Sequence, residues 1–323
     1  MSAASSFRLR IVSQNLWHGL DHTRPLLMPP AENPLRAWVR RKALLNGLRK
    51  LRARDNPLLG TEWNTLEVFC LQELNPLRRR LASYKKELGM EGVGLAVNTG
   101  IRIGDVSYPP FLQEGLGTLW HGDLGDVSSD HCFLSGSGVD FTGPLGVPVS
   151  AHLGERRAAL AVEGTWAGRR WLFANTHLHS GAAKLGHDLR RKQEVAKLLE
   201  WLAPKLEKVD AAVLCGDFNA DGGHAEIQAL VDEGFRDIEP PLGGPLLTWQ
   251  PKKNAVCAES VALNRDPNAL AWDEVDHQFD HVFVWSKKPA SWTSRIQLAL
   301  DAPVGPVWLS DHFGLVADLL WTE

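Results

Sequence analysis

Asp217 and Asn219 stand two residues apart at the end of the apolar run Ala211-Ala212-Val213-Leu214-Cys215-Gly216. Alone, such a pair is as consistent with a turn or a helix cap as with chemistry. Other apolar runs end in the same manner. Asn15 closes Arg8–Gln14, Glu73 closes Leu66–Gln72, and His177 closes Trp171–Thr176. Asp280 follows Phe279, and Asp311 and His312 precede Phe313-Gly314-Leu315-Val316. Taken together the set is chemically complementary. Carboxylate and amide oxygens are hard ligands that suit Mg²⁺ or Mn²⁺ and suit softer metals poorly. Magnesium takes one or two carboxylates and leaves its other positions to water and substrate phosphate. The histidines are then free to donate to phosphate oxygens. Such a kit performs metal-assisted phosphoryl transfer to water.

The four runs that end at Asn15, Glu73, His177 and Asp217 read as strands buried on both faces, each with its polar residue at the C-terminal end, and two more strands follow at Phe279–Val284 and after His312. Gly94–Val97 and Ala158–Val162 read as further strands. Helical periodicity lies between. Leu35–Arg54 is a basic amphipathic helix with Pro34 at its start. Pro76–Leu88 is a second helix and Leu185–Leu206 a third, interrupted near Pro204. His224–Glu233 is a fourth, ended by Gly234. Gly115–Pro148 and Pro240–Asp276 read as long loops, rich in Gly, Pro, Ser, Asn and Asp. Strands with helices between some of them predict two packed sheets with helices outside.

Bulk properties narrow the possibilities. The 323 residues are 44% hydrophobic and 23% charged, with a net charge of -3. This is the balance of a globular chain, read here as one domain over 1–323. A protein that grips long nucleic acid mainly through its phosphates is basic, which this chain is not. The basic clusters Arg40-Arg41-Lys42, Arg78-Arg79-Arg80 and Arg190-Arg191-Lys192 read as solvated helix faces. Four dispersed cysteines give no zinc or redox motif. Cys70 and Cys215 read as reduced core thiols, the pattern of a cytoplasmic protein. Met1–Arg10 has no apolar stretch of signal-peptide type, and no run is long enough to span a membrane. No obligate protein partner is indicated. The thirteen Trp are expected in the core or along a cleft.

The motifs Ser13-Gln14-Asn15, Leu71-Gln72-Glu73, Asn175-Thr176-His177-Leu178, Gly216-Asp217-Phe218-Asn219, Phe279-Asp280-His281 and Ser310-Asp311-His312 occur in a telling order. It resembles the order in the endonuclease/exonuclease/phosphatase (deoxyribonuclease I-like) superfamily. The resemblance runs from Asn15 to His312. It implies an α/β (α+β) fold, a four-layer αββα sandwich of two mostly antiparallel sheets flanked by helices. It also implies Mg²⁺ or Mn²⁺ at Glu73, with Asn15 beside it and Asp311 in direct or water-mediated contact. By the same resemblance, Asp217 orients or deprotonates the attacking water. Asn219 holds that water or a phosphate oxygen, and His177 donates to a non-bridging oxygen. His312 stabilises the phosphorane, and Asp280 orients His312. His179, two residues after His177, is the other histidine that could face the site.

Three runs resemble the neutral sphingomyelinase branch and so a lipid-headgroup substrate. They are Asn15-Leu16-Trp17-His18-Gly19-Leu20, Thr176–Ser180 with Arg190 and Gln193, and Thr248-Trp249-Gln250-Pro251 with Asn254. Gln250 stands where that branch has Asp. Trp249, His179 and Arg156 are the candidate substrate contacts. The alternative is a nuclease acting on DNA or RNA, with Arg156-Arg157 and Lys252-Lys253 near the cleft. A sugar- or inositol-phosphate phosphatase and a catalytically silent binding protein complete the field.

Overall fold

A computed structural model describes residues 6–17, 34–52, 64–98, 101–103, 106–108, 113–136, 138–152, 156–181, 186–263, 274–288 and 292–322. His18, Gly19 and Leu20 of the first motif run lie outside the described residues. In chain order the first elements are β1 (Ser6–Asn15), α1 (Pro34–Lys50), β2 (Asn64–Leu74), α2 (Leu77–Leu88) and β3 (Glu91–Asn98). Next come β4 (Ile101–Ile103), β5 (Val106–Tyr108), β6 (Glu114–His121), β7 (Gly125–Ser135), β8 (Gly138–Thr142) and β9 (Pro148–His152). They are followed by β10 (Arg157–Trp166), β11 (Arg169–His177), α3 (His187–Leu206), β12 (Ala211–Asp217), α4 (Ala225–Asp232) and β13 (Arg236–Asp237). The last are α5 (Ala255–Leu263), β14 (Asp280–Ser286), β15 (Thr293–Ala299) and β16 (Gly314–Thr322).

Two six-stranded sheets form, in the orders β15-β16-β1-β2-β6-β3 and β13-β14-β12-β11-β10-β7. Each has one parallel pair near its centre, β1 with β2 and β11 with β12, among otherwise antiparallel neighbours. Parallel neighbours end at the same edge of a sheet. Asn15, Glu73, His177 and Asp217 are therefore delivered to one end of the sandwich. Strands buried on both faces read as continuous apolar runs, and β12 is buried along its whole length. Between the sheets lies a core of Leu9, Ile11, Val68, Phe173, Val213 and Val282, with Trp166, Trp171 and Trp321 at its far part. Smaller cores seat α3 and α4 on one sheet and α1 and α2 on the other. No helix among the described residues is long and apolar enough to cross a membrane.

Four expectations need correction. Gly115–Pro148 is not a loop: it carries most of β6, then β7 and β8. Its glycines and serines lie in an edge strand and at close strand approaches, where period-2 patterning is weak. Pro240–Asp276 holds a helix, α5, started by Asn254, whose Oδ1 accepts from the Val256 and Cys257 N–H groups. α3 runs through Pro204 without interruption, because its last turn continues to Leu206. The basic clusters are not wholly solvated. Arg40, Arg80 and Arg191 are buried, and Arg191 pairs with buried Glu226 at 2.8 Å. A cation spaced on the apolar face of a helix looks in sequence like its exposed neighbours. The cysteines are all free, with Cys70 and Cys215 in the core.

Across the first sheet, Asp318 of β16 sits in register with Arg10 and Arg295. Arg10 donates twice, at 2.8 Å each, and Arg295 donates at 3.1 Å. Burial alone would raise the Asp318 pKa, but the arginine bonds and charges outweigh it and hold it below the ordinary value. A depressed folded pKa means that the stabilisation is present above the unfolded value, about 3.9. It is lost as pH falls through the folded one. Asp318→Asn is therefore expected to lower stability by about 1–2 kcal/mol at pH 7. Urea midpoints should show that gap closing in acid, and a gap independent of pH would contradict the account.

Candidate active site

Each motif residue reaches the site through a local device. Gly216 has φ +146°, and a Cβ there would lie 1.9 Å from the Thr176 carbonyl oxygen. Only glycine lets β12 approach β11 so closely just before Asp217. Trp17, Glu73 and Asn219 hold left-handed backbone, with φ 50°, 56° and 49°. Such conformations cost about 1–3 kcal/mol each and collect at functional sites. Glu73 lies in an irregularity of the β2–β6 pairing between Leu71 and Leu74, which turns its side chain out of the ladder.

The side chains converge on Asp217. Its Oδ2 accepts from Asn15 Nδ2 at 3.0 Å and lies 3.5 Å from His177 Nε2 and 3.6 Å from His312 Nε2. Its Oδ1 accepts the Asn219 N–H at 2.9 Å, which folds the Asp217–Asn219 turn back on itself. Asn15 Nδ2 also donates to Glu73 Oε1 at 3.0 Å, and His177 Nε2 is 4.0 Å from the same oxygen. Asn219 Nδ2 donates to the Leu178 carbonyl. His312 Nδ1 meets Asp280 Oδ2 at 2.8 Å. Asp311 stands beside His312, its Oδ1 accepting from Ser310 Oγ at 3.2 Å. All eight residues are buried.

The charges are unequal. Burial pushes Asp217 up to about 7, Asp280 adds to the rise, and the charge of His312 opposes it. Burial and Glu73 push Asp311 up to about 6, again against His312. Burial would lower the His312 pKa, but Asp217 and Asp280 outweigh it and raise it well above the ordinary imidazole value. The site thus holds an imidazolium anchored by Asp280 beside a carboxylate poised to change protonation near neutrality.

The three candidate substrate contacts are placed differently. Trp249 packs edge-on against the His312 ring, centroids 5.0 Å apart. Arg156 is buried with its guanidinium 3.4 Å from the Phe133 ring centroid, and its N–H donates to Asn98 Oδ1. His179 lies past the end of β11, its Nε2 at 2.9 Å from His187 Nδ1 and 3.4 Å from Arg190. His177, not His179, is the histidine beside Asp217 and Glu73. Arg157 Nη1 lies 2.9 Å from His177 Nε2. A guanidinium can only donate, so in that contact the ring nitrogen accepts.

Several positioning residues were not singled out as such in the sequence. Gln72 Nε2 donates to Asn175 Oδ1, and Asn175 Nδ2 donates to the Leu71 and Gly117 carbonyls, tying the two sheets under the site. Both are motif residues, which was their signal. Asn254 Nδ2 donates to the Ser310 and Asp311 carbonyls, and Thr248 Oγ1 accepts the Phe279 and Asp280 N–H groups. His281 Nδ1 meets Asp237 at 2.7 Å and its Nε2 meets the Ala220 carbonyl at 2.9 Å. Both partners only accept, so His281 carries both protons and clamps the turn that follows Asn219.

Asp217, Asp280 and His312 each bring a ligand atom within 4.8 Å of the others and could hold a metal ion. His312 and Asp280 already satisfy one another there, and Mg²⁺ prefers an all-oxygen shell. Glu73 and Asp311 bring carboxylate oxygens on the neighbouring side, while Asn15 Oδ1 accepts the Trp17 N–H and its Nδ2 faces Glu73 and Asp217. The donor chemistry fits a small hard cation. Four buried carboxylates crowd one end of the sandwich, and their repulsion helps to raise Asp217 and Asp311.

Solved structures share this architecture. Truncated Caenorhabditis elegans TDP2 is 17% identical over 98% of both chains, with a TM-score of 0.60. A functionally unknown conserved protein from Enterococcus faecalis V583 is 19% identical over 97% of this chain and 100% of that one, with a TM-score of 0.59. D. rerio TDP2 complexed with a single-strand DNA product is 18% identical over 97% of this chain and 98% of that one, with a TM-score of 0.56. At these identities the likeness establishes the fold. No curated protein compared with the chain matches it in sequence. The profile of the Endonuclease/Exonuclease/phosphatase family matches residues 12–312, the span that carries every motif above. With that match and this geometry, the chain belongs to the endonuclease/exonuclease/phosphatase family, whose members are generally divalent-metal dependent, and is a phosphoester hydrolase.

Proposed function

We propose that the chain is a divalent-metal-dependent phosphodiesterase in which Asp217 takes the proton of the attacking water. The observation that carries this reading is the convergence of Asn15, His177 and His312 on one buried carboxylate oxygen, Asp217 Oδ2. Mg²⁺ or Mn²⁺ held by Glu73 and Asp311, with Asn15 beside them, would supply Lewis-acid polarisation of a phosphate oxygen. A general base works best with a pKa near the working pH, and about 7 is such a value. Asn219 holds the water or a phosphate oxygen next to that base. His312, kept charged and oriented by Asp280, donates to the oxygens on which charge grows in the phosphorane. His177 stands on the other side of Asp217, with Arg157 supplying positive charge there.

Two substrate classes remain in contention. For nucleic acid stand Arg157, which touches His177, and the single-strand DNA product in D. rerio TDP2. For a lipid headgroup stand the runs at Asn15–Trp17 and Thr248–Asn254. In this fold Trp17, Thr248, Trp249 and Asn254 have construction roles, which any substrate could use.

The test is hydrolysis of bis-nitrophenyl phosphate and of the nitrophenyl monoester, with Mg²⁺ or Mn²⁺ and with EDTA. The diester should be the better substrate, and EDTA should abolish turnover until metal is restored. Turnover indifferent to EDTA would sink the mechanism. Parallel assays on single-stranded DNA, RNA and sphingomyelin vesicles would decide the class.

A further inference from the structure

Outside the sandwich, β4, β5, β8 and β9 form a separate four-stranded antiparallel sheet in the order β5-β4-β9-β8. Its register puts Ile101, Ala151 and Val139 in one cross-strand row. Ile103, Val149 and Phe141 form the next row but one along each strand. Directly paired residues project to the same side, and so do residues two apart. All six therefore share one face. Four of them are exposed: Ile101 56%, Ile103 59%, Val139 60% and Phe141 54%. Scattered apolar residues on a surface need no explanation, but a contiguous aliphatic face on a small sheet does.

The sheet is rooted at the catalytic end. It branches off after β3 and before β6, and again between β7 and β10. Antiparallel pairing puts the end of β3, the start of β6, the end of β7 and the start of β10 at the edge where β2 and β11 finish. Arg157, the first residue of β10, touches His177.

We propose that this four-stranded arm is a docking face for a lipid interface, which seats the catalytic end of the sandwich on a membrane surface. Size argues for this occupant. With Tyr108 opposite Ile101 and Val106 opposite Ile103, two rows of four positions on strands about 4.8 Å apart span roughly 250–350 Å². A stable dimer or protein complex needs about 800 Å² from each partner. Composition argues the same way. Protein hot spots are built on Trp, Tyr and Arg, and single-stranded nucleic acid is gripped by stacked aromatics and cations. The exposed members here are Ile, Ile, Val and Phe, side chains that partition into the acyl boundary of a bilayer. The inference concerns docking alone and stands whether or not the phosphodiesterase reading holds.

The test is flotation of the full chain with phosphatidylcholine–sphingomyelin vesicles, without and with phosphatidylserine. Wild type should float with vesicles. In Ile103→Asp/Phe141→Asp the bound fraction should fall at least about tenfold. Val139→Ser/Phe141→Ser, milder at the same exposed face, should give an intermediate loss. Both variants should keep the wild-type circular dichroism melt and turn over soluble bis-nitrophenyl phosphate as wild type does. The proposal is overturned if wild type stays with the soluble fraction or if the variants float as well as it does. It is also overturned if sedimentation finds a dimer that the variants dissolve, or if the face proves to bind single-stranded DNA instead. Absence of diester turnover in every form would remove the proposed chemistry and leave flotation to decide the arm.

Discussion

Asp217→Asn is expected to lower kcat/KM on a soluble diester at least about a hundredfold. Asparagine fills the same space and can still accept the Asn219 N–H, so the turn should survive. It cannot take a proton from water. The pH profile supplies a second reading. Burial raises Asp217 to about 7, so in wild type the base loses its function as pH drops through that region and kcat/KM should fall on the acid side. A divalent cation among these carboxylates favours the ionised form, so more metal should move that limb to lower pH. The residual activity of Asp217→Asn should lack the limb. A loss of less than about fivefold would show that this carboxylate is not the base.

Arg40→Met is expected to cost about 3 kcal/mol of stability and to weaken metal binding at least about tenfold. Buried Arg40 Nη1 donates to the Leu16 and Leu309 carbonyls, at 3.0 and 3.2 Å, and its Nη2 donates to the Trp17 carbonyl at 3.3 Å. Its guanidinium lies 4.7 Å from the Trp17 ring centroid. Leu16 and Trp17 follow Asn15, and Leu309 comes two residues before Asp311. One side chain on α1 thus fixes the backbone on both sides of the proposed metal site. Methionine preserves volume but leaves those carbonyls short of a donor. Urea midpoints would give the stability, and Mn²⁺ titration the affinity. Lys42→Ala, at an exposed position of the same cluster, should change stability by no more than about 0.5 kcal/mol. Equal effects at the two positions would refute this role for Arg40.

Arg40 also marks where sequence reading stops. The two-sheet sandwich was legible because strands buried on both faces give unbroken apolar runs, and because each such run ended in a residue with chemistry to perform. The gathering of Asn15, Glu73, His177 and Asp217 follows from those ends, and antiparallel pairing brings Asp280 and His312 to them from the start of β14 and from just before β16. Gly115–Pro148 was misread as loop because β7 is mostly exposed and shows no apolar alternation. Arg40 and Arg191 were misread because burial of a cation depends on carbonyls and carboxylates brought in from distant elements. The choice between His177 and His179 rested on where β11 ends, a boundary that local sequence does not mark.

The two ends of the described chain meet, since β1 pairs with β16 from Ser6 opposite Thr322 to Ser13 opposite Leu315. That closure imposes an order on biosynthesis. Asn15, Glu73, His177 and Asp217 leave the ribosome well before Asp311, His312 and β16. Until then the outer edge of β1 lacks its partner and the proposed site lacks Asp311 and His312. A chain that stalls before β16 therefore carries β1 with one edge unpaired and lacks two of the residues proposed for the site.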